Sequence, residues 1–351
     1  MIKNILTTTI FIASFLTVGA QTYSGPESVE FDYANNRWLI ANTTSHQVLA
    51  RSASGTLTVF ASGLGSGPYG IEIMGDTLYC CSGSSIKGFD LTTGASVYTI
   101  NVGATFLNGI THDNSGNLIA TDFSAKKIFK INPSSNSFIQ IASNLVQSPN
   151  GIIFDAANNR CVFANWGSSA PIKAIDLSNN SVSTIYPSPH SNIDGITRDG
   201  NGNYFVSVWG TNKIYKYDST FSSAGIPYGT GLNSPADIFY NVLNDTLAVP
   251  NSGNNTVSFI GFATTDVKTL NNEDKILLYP NPSTTQFSIS MKQPGKIDSF
   301  KVYDIAGNEI HSFQSTFYGD KIIVDFNNDP GIYIIELLFE GSLIRKKLVQ
   351  L

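Results

Sequence analysis

The sequence predicts an all-β chain: a six-bladed β-propeller followed by a small C-terminal β-sandwich. Three observations carry this reading. An octet returns six times, as GPESVEFD (25–32), GPYGIEIM (67–74), FLNGITHD (106–113), SPNGIIFD (148–155), NIDGITRD (192–199) and SPADIFYN (234–241), with starts 42, 39, 42, 44 and 42 residues apart. Each unit holds short apolar or alternating runs separated by turn residues, with no amphipathic helical period. After residue 262 the repeat stops and a differently patterned β segment begins.

The first unit shows the internal order. VEFD is followed by the polar turn YANNR, then WLIAN, the loop TTSHQ, VLARS, a glycine turn and LTVFAS. The turns after the octets repeat the chemistry, as ANNR (34–37), NSGN (114–117), ANNR (157–160) and GNGN (200–203). Asn and Gly accept the positive φ that tight hairpins need. Four strands recurring every 40 to 45 residues describe one radial blade of a propeller. Six octets therefore give six blades over residues 22–265. The sixth is legible only through its third strand (TVSFIGF, 256–262), and its outer strand comes either from Thr22 and Tyr23 or from residues 264–270.

Composition narrows the function. Charged residues make up 13% of the 351 and the formal net charge is −5, against about 25% charged in ordinary soluble domains. The longest basic run is Arg345-Lys346-Lys347, so nucleic acid and anionic membranes are not expected partners. Residues 1–20 read as a secretory signal peptide, with Lys3, an apolar stretch from Ile5 to Val18, and small residues up to Ala20. No later segment is apolar enough for a transmembrane anchor. Cys80, Cys81 and Cys161 lie in apolar strand-like runs and read as buried thiols rather than metal ligands. A monomer is expected.

The third residue of the octets runs Glu27, Tyr69, Asn108, Asn150, Asp194, Ala236. The first strand of a propeller blade is innermost, so this row surrounds the central channel. Asn-Gly and Asp-Gly are also plain turn formers, which accounts for three positions. It does not account for Glu27, nor for two carboxylates aimed into one narrow channel. Such a pair repels unless a proton or a cation intervenes. Two carboxylates and two amide oxygens suit a divalent cation of the calcium type better than zinc, and Asp122 could supplement them. At the loop after the second strand, Phe123, Trp166 and Trp209 form an expected arc of rings at the channel mouth, with Asp122 beside it. They line a substrate pocket or else cap the blade edges. His46 and His190 fall in loops, and His112 reads as a packed or turn-bonded residue beside Asp113; no catalytic triad is suggested.

The octets resemble those of the gluconolactonase and regucalcin (senescence marker protein) family of six-bladed propellers, and more loosely NHL-repeat and paraoxonase-like propellers. The resemblance implies one divalent metal, Ca²⁺ by donor chemistry, held by Glu27, Asn108, Asn150 and Asp194. Each of the four stands five residues before an Asp of its own octet, namely Asp32, Asp113, Asp155 and Asp199. Two departures stand out. Where sugar-lactone relatives carry an Arg and an Asp, this chain has Phe106 and Gly109, and where paraoxonase-like relatives carry a catalytic His, it has Tyr69. The implied activity is metal-assisted hydrolysis of a lactone or ester, with Asp194 as general base and Tyr69 either donating to the oxyanion or simply filling the channel. The alternative is a non-catalytic propeller that binds a glycan, peptide or small ligand, with the metal structural or absent.

Residues 266–275 read as a linker. Residues 276–351 hold the short β runs of a small sandwich. Tyr279-Pro280-Asn281-Pro282, the run VYDIAGNEI (302–310), Gly331-Ile332-Tyr333 and the closing RKKLVQL (345–351) make this segment similar to the type A sorting domain of the type IX secretion system of Bacteroidetes. That resemblance implies the type IX machinery as partner and a secreted or cell-surface product, with the tail removed or used for anchoring.

Overall fold

The computed structural model describes residues 21–262 and 276–351, apart from 306, 314–316 and 340. The expected signal peptide and linker lie outside the described residues. Residues 21–262 form six antiparallel sheets in chain order, each a meander whose first strand is the octet. Blade 1 is typical: Pro26–Asp32, Arg37–Asn42, Gln47–Ser52 and Leu57–Ala61 pair in sequence. The first two strands are largely buried and the fourth largely open, as expected when the chain runs outward from an axis.

The hydrophobic core is divided among the six seams between blades. Leu39, Val48 and Leu64 of blade 1 pack on Ile71, Leu78 and Phe89 of blade 2, and equivalent clusters join each later pair. The last seam closes the ring. Trp38, Phe31 and Ile40 of blade 1 meet Ala248, Phe239 and Phe259 of blade 6, with Tyr23 packed against them, and Trp38 lies 5.2 Å from Phe259. Closure is reinforced by the Asp237 N–H donating to the Glu27 carbonyl at 2.8 Å and by Gly25 N–H donating to Asn255 Oδ1 at 2.7 Å.

Blade 6 has three strands among the described residues, Phe239–Asn241, Thr246–Asn251 and Thr256–Gly261. Thr22 and Tyr23 are not strand, so of the two alternatives the N-terminal one is not met: Tyr23 packs against the closing seam through its side chain. Residues 264–270 lie outside the described residues.

The octet's terminal aspartates explain the recurring turns. Asp32 accepts from Asn35 and Arg37, Asp113 from Asn117, Asp155 from Asn158 and Arg160, and Asp199 from Asn203. Each carboxylate thus holds the hairpin that returns the chain to the second strand.

Close approach at the axis is enforced by glycine at the fourth octet position. A Cβ on Gly109 would fall 2.3 Å from the Asn150 carbonyl oxygen, and one on Gly195 2.5 Å from the Asp237 Cα. Hydroxyls on the second strands stitch neighbouring blades at this level. Gly109 N–H donates to Thr121 Oγ1, which reaches the Asn150 carbonyl at 2.9 Å. Gly195 N–H donates to Ser207 Oγ, which reaches the Ala236 carbonyl at 2.7 Å.

The C-terminal unit is built on one long strand, Gln286–Tyr303. Its first part pairs with Ile276–Tyr279 and with Phe317–Asp325; its last part pairs with Glu309–Phe313 and Gly331–Phe339, the latter pairing in turn with Ser342–Gln350. Phe287, Ile289, Phe300, Ile335 and Leu348 fill its separate core. The three cysteines are buried free thiols, as expected.

Gly195→Ala should destabilise the propeller by about 1–3 kcal/mol or more through overpacking at backbone. Gly200→Ala, with open space around its Cβ position, should change stability by less than about 0.5 kcal/mol. Urea unfolding of the two variants beside the parent checks both.

Candidate functional site

The third octet residues stand at equivalent positions at or just before the start of the inner strands. Asn108, Asn150 and Asp194 are buried at 6%, 1% and 2% exposure, while Glu27 is partly open and accepts from Ser252 Oγ at 3.0 Å. Asn150 Oδ1 and Asp194 Oδ1 are buried and have no hydrogen-bond partner. Buried oxygens left in this way are costly.

A third carboxylate enters that sequence reasoning missed. Asp237 stands at the fourth position of the sixth octet, where four other blades carry glycine and the first carries Ser28. It uses the space those glycines leave: its Oδ1 lies 3.0 Å from where a Gly151 Cβ would be. Its Oδ2 accepts from Ser28 Oγ at 3.1 Å. A charged residue at a glycine position was the signal available in the sequence.

Burial dominates the electrostatics. It pushes Glu27 up to about 7, against a smaller lowering by the Ser252 hydroxyl. Asp194 is raised well above the carboxylate range by burial, then by the charges of Glu27 and Asp237. Asp237 is pushed up to about 7 by burial, opposed by the Ser28 hydroxyl. Three carboxyls therefore compete in one desolvated channel, and they hold protons there or need an added positive charge.

The donor set fits a hard cation in kind. The row offers two carboxylates and two amides from separate blades, the Asn150 and Asp194 Oδ1 atoms are unpartnered, and no Cys or His is among them. Among the described residues no three His, Cys, Asp or Glu side chains are grouped so as to hold a metal by themselves. A cation at this end would therefore depend on Asn108 and Asn150 as well as on the carboxylates.

The aromatic arc is longer than expected. Tyr69 meets Phe106 at 4.4 Å, Phe106 meets Phe123 at 5.7 Å, Phe123 meets Trp166 at 6.1 Å and Trp166 meets Trp209 at 5.3 Å, all edge to face. All five rings are half-buried. Phe106 is the addition, and it joins Tyr69 to the three residues expected at the mouth. The equivalent positions in blades 6 and 1 are Ser252 and Thr43, whose backbone N–H groups bond to Ser234 and Gly25 as Phe123 N–H bonds to Phe106 and Trp209 N–H to Asn192. The mouth is thus aromatic on one side and hydroxyl-bearing on the other.

Asp122 does not belong to the lining. It is fully buried, and its carboxylate accepts from the Thr105, Phe106 and Ala125 N–H groups. Asn42 and Asn251 do the same for Ser24 and Asn233, so Asp122 is the blade 3 copy of a loop lock. His112 is bonded not to its own turn but across blades, with Nδ1 2.5 Å from Glu72 Oε1. His190 stacks on Tyr215 at 3.9 Å, and His46 Nδ1 lies 3.0 Å from the Gly67 carbonyl oxygen.

Comparison with known proteins agrees with this architecture. Residues 277–350 match the family described as the secretion system C-terminal sorting domain. No curated protein matches the chain in sequence. Among solved structures, a gluconolactonase of Xanthomonas campestris is 15% identical with a TM-score of 0.57, covering 66% of this chain and 84% of that one. Regucalcin, a calcium-binding protein of Agrobacterium tumefaciens, is also 15% identical at a TM-score of 0.57, covering 69% and 91%. A nidogen/laminin complex is 17% identical at 0.52, covering 58% and 80%. These likenesses establish the propeller fold. No helix among the described residues is long and apolar enough to cross a membrane. The sorting tail marks the chain for type IX export, to the cell surface or the medium.

The raised carboxyls fix a pH dependence for the protein kept free of divalent cations. Well below pH 4 the three groups are protonated whether the chain is folded or not. As pH rises, the unfolded chain loses these protons first, so the stability they contribute is lost towards pH 7. The melting temperature should fall between pH 4.5 and 7.5, and Asp237→Asn should flatten that fall. The depressed groups Asp113 and Asp155 act in the opposite sense and mainly below this window. Calorimetric melting across the range, in chelator, checks the sign.

Proposed function

We propose that this exported propeller binds one divalent cation, calcium by its donor chemistry, at Glu27, Asn108, Asn150 and Asp194, and that it hydrolyses a lactone or ester presented at the aromatic mouth. The observation that carries the reading is the pair of buried, unpartnered oxygens, Asn150 Oδ1 and Asp194 Oδ1, set beside carboxyls that burial has driven upward. What a cation supplies when bound is positive charge, which offsets the carboxylates and polarises a carbonyl.

The chain's own residues take the remaining roles. Asp194, ionised once its neighbourhood is neutralised, accepts the proton of an attacking water. Tyr69 keeps its phenolic proton, since burial and then Glu27 raise it, and it donates a hydrogen bond to the oxygen on which charge develops. The rings from Phe106 to Trp209 hold the apolar part of the substrate and limit water. With Phe106 and Gly109 in place of polar groups, the site favours an apolar acyl or aryl substrate over a polyol.

A non-catalytic binding role is favoured by one observation: the five rings pack edge to face as a finished wall. Two measurements separate the readings. Titrating chelator-stripped protein with Ca²⁺ should give one saturable site and a higher melting temperature, both lost in Asp194→Asn; absence of heat removes the cation. A panel of apolar lactones and aryl esters should then be turned over, with rate reduced at least about a hundredfold in Asp194→Ala and less in Tyr69→Phe. Calcium binding without turnover of any member leaves the binding protein.

A further inference from the structure

A second cavity stands away from the aromatic mouth. A volume of about 430 Å³ opens at the opposite end of the channel, where the octets finish. That is within the range of small-molecule sites. Its inner wall is the fifth octet residue of every blade: Val29, Ile71, Ile110, Ile152, Ile196 and Ile238, each at most 5% exposed. This β-branched ring makes the inner wall apolar, with Asp237 among the residues that reach the cavity.

The sixth octet residue forms the next layer: Glu30, Glu72, Thr111, Ile153, Thr197 and Phe239. Polar groups are therefore concentrated on blades 1 and 2. Glu30 and Glu72 line the cavity from adjacent blades, and Glu72 meets His112 Nδ1 at 2.5 Å. Burial first, then the charges of Glu72 and Asp237, push Glu30 well up; Glu72 in turn raises His112. No Lys or Arg lines the cavity, and Asp32 at the rim is already paired with Arg37 at 2.9 Å. Glu30, Glu72 and Asp237 thus line the cavity together with His112, which Glu72 holds, within mostly aliphatic walls.

We infer that this cavity is a second ligand site, separate from the cradle at Glu27 and Asp194, and that it takes a small organic cation: an ammonium head set between Glu30 and Glu72 with an apolar body against the isoleucine ring. The walls argue against a hard metal ion. Such an ion wants six to eight oxygens, whereas beyond the carboxyls the layer offers only two threonine hydroxyls, and among the described residues no three acidic, His or Cys side chains group as metal ligands. An ammonium needs fewer contacts and leaves its carbon atoms to be buried, for which this cavity has the surface.

The test is calorimetric titration of the mature chain with 2-phenylethylammonium chloride, with 2-phenylethanol as the neutral counterpart and CaCl₂ as the metal probe. The ammonium should bind one to one, with the alcohol at least tenfold weaker. Glu30→Gln combined with Glu72→Gln should weaken the ammonium at least tenfold, while Asp194→Asn leaves it unchanged. Removing mutually repelling carboxyls should not unfold the chain, and Ile153→Phe, which narrows the cavity and keeps both carboxyls, is expected to weaken the ammonium as well. No heat with the ammonium, equal affinity for the alcohol, or binding that survives the double substitution overturns the inference. So does a calcium site that the double substitution abolishes and Asp194→Asn leaves intact.

Discussion

The closeness of the inner strands to one another is the constraint on which the rest depends. At the fourth octet position a single added carbon would clash with the next blade's backbone, lying only 2.3 Å from the Asn150 carbonyl oxygen at Gly109 and 2.5 Å from the Asp237 Cα at Gly195. Backbones that near leave little room for water around the third-position side chains. Glu27, Asp194 and Asp237 consequently sit where their charge is poorly solvated, and their raised proton affinities follow from the packing rather than from any one neighbour. A channel of this kind stores a demand for positive charge, and the proposed cation is the simplest way to meet it.

Six near-equivalent blades would give a featureless ring. Function has to come from departures between copies. At one mouth the residue after the second strand is Phe, Trp and Trp in blades 3 to 5 but Ser and Thr in blades 6 and 1. At the other, two glutamates occupy adjacent blades while Ile and Phe occupy others. Between the two ends runs the β-branched ring, which contributes no polar group. The two ends are thereby chemically distinct, one presenting amides and carboxylates under aromatic rings, the other carboxylates against aliphatic walls.

Most of the fold was legible because the octet recurs with its own turn signal, the Asp that holds the following hairpin. Periodicity also put Asn108, Asn150 and Asp194 on the inner strands, where all three are buried. It did not reveal Asp237, which breaks the pattern at a glycine position and matters only once neighbouring blades are seen to leave it space. Nor did it distinguish Asp122 from a site residue: the loop N–H groups it binds come from 16 and 17 residues upstream, beyond the reach of local turn chemistry. Phe106 was visible as a departure from a resemblance, and its role emerged only through contact with Tyr69 and Phe123. The Glu72–His112 pair joins residues 40 apart on different blades, a contact that no spacing rule announces.

The most direct measurement is anomalous diffraction from crystals of the mature chain grown with a lanthanide in place of calcium. The account predicts one anomalous peak on the propeller axis, bonded to oxygens of Glu27, Asn108, Asn150 and Asp194. An axis without a peak, or a peak seated between Glu30 and Glu72 instead, would contradict it.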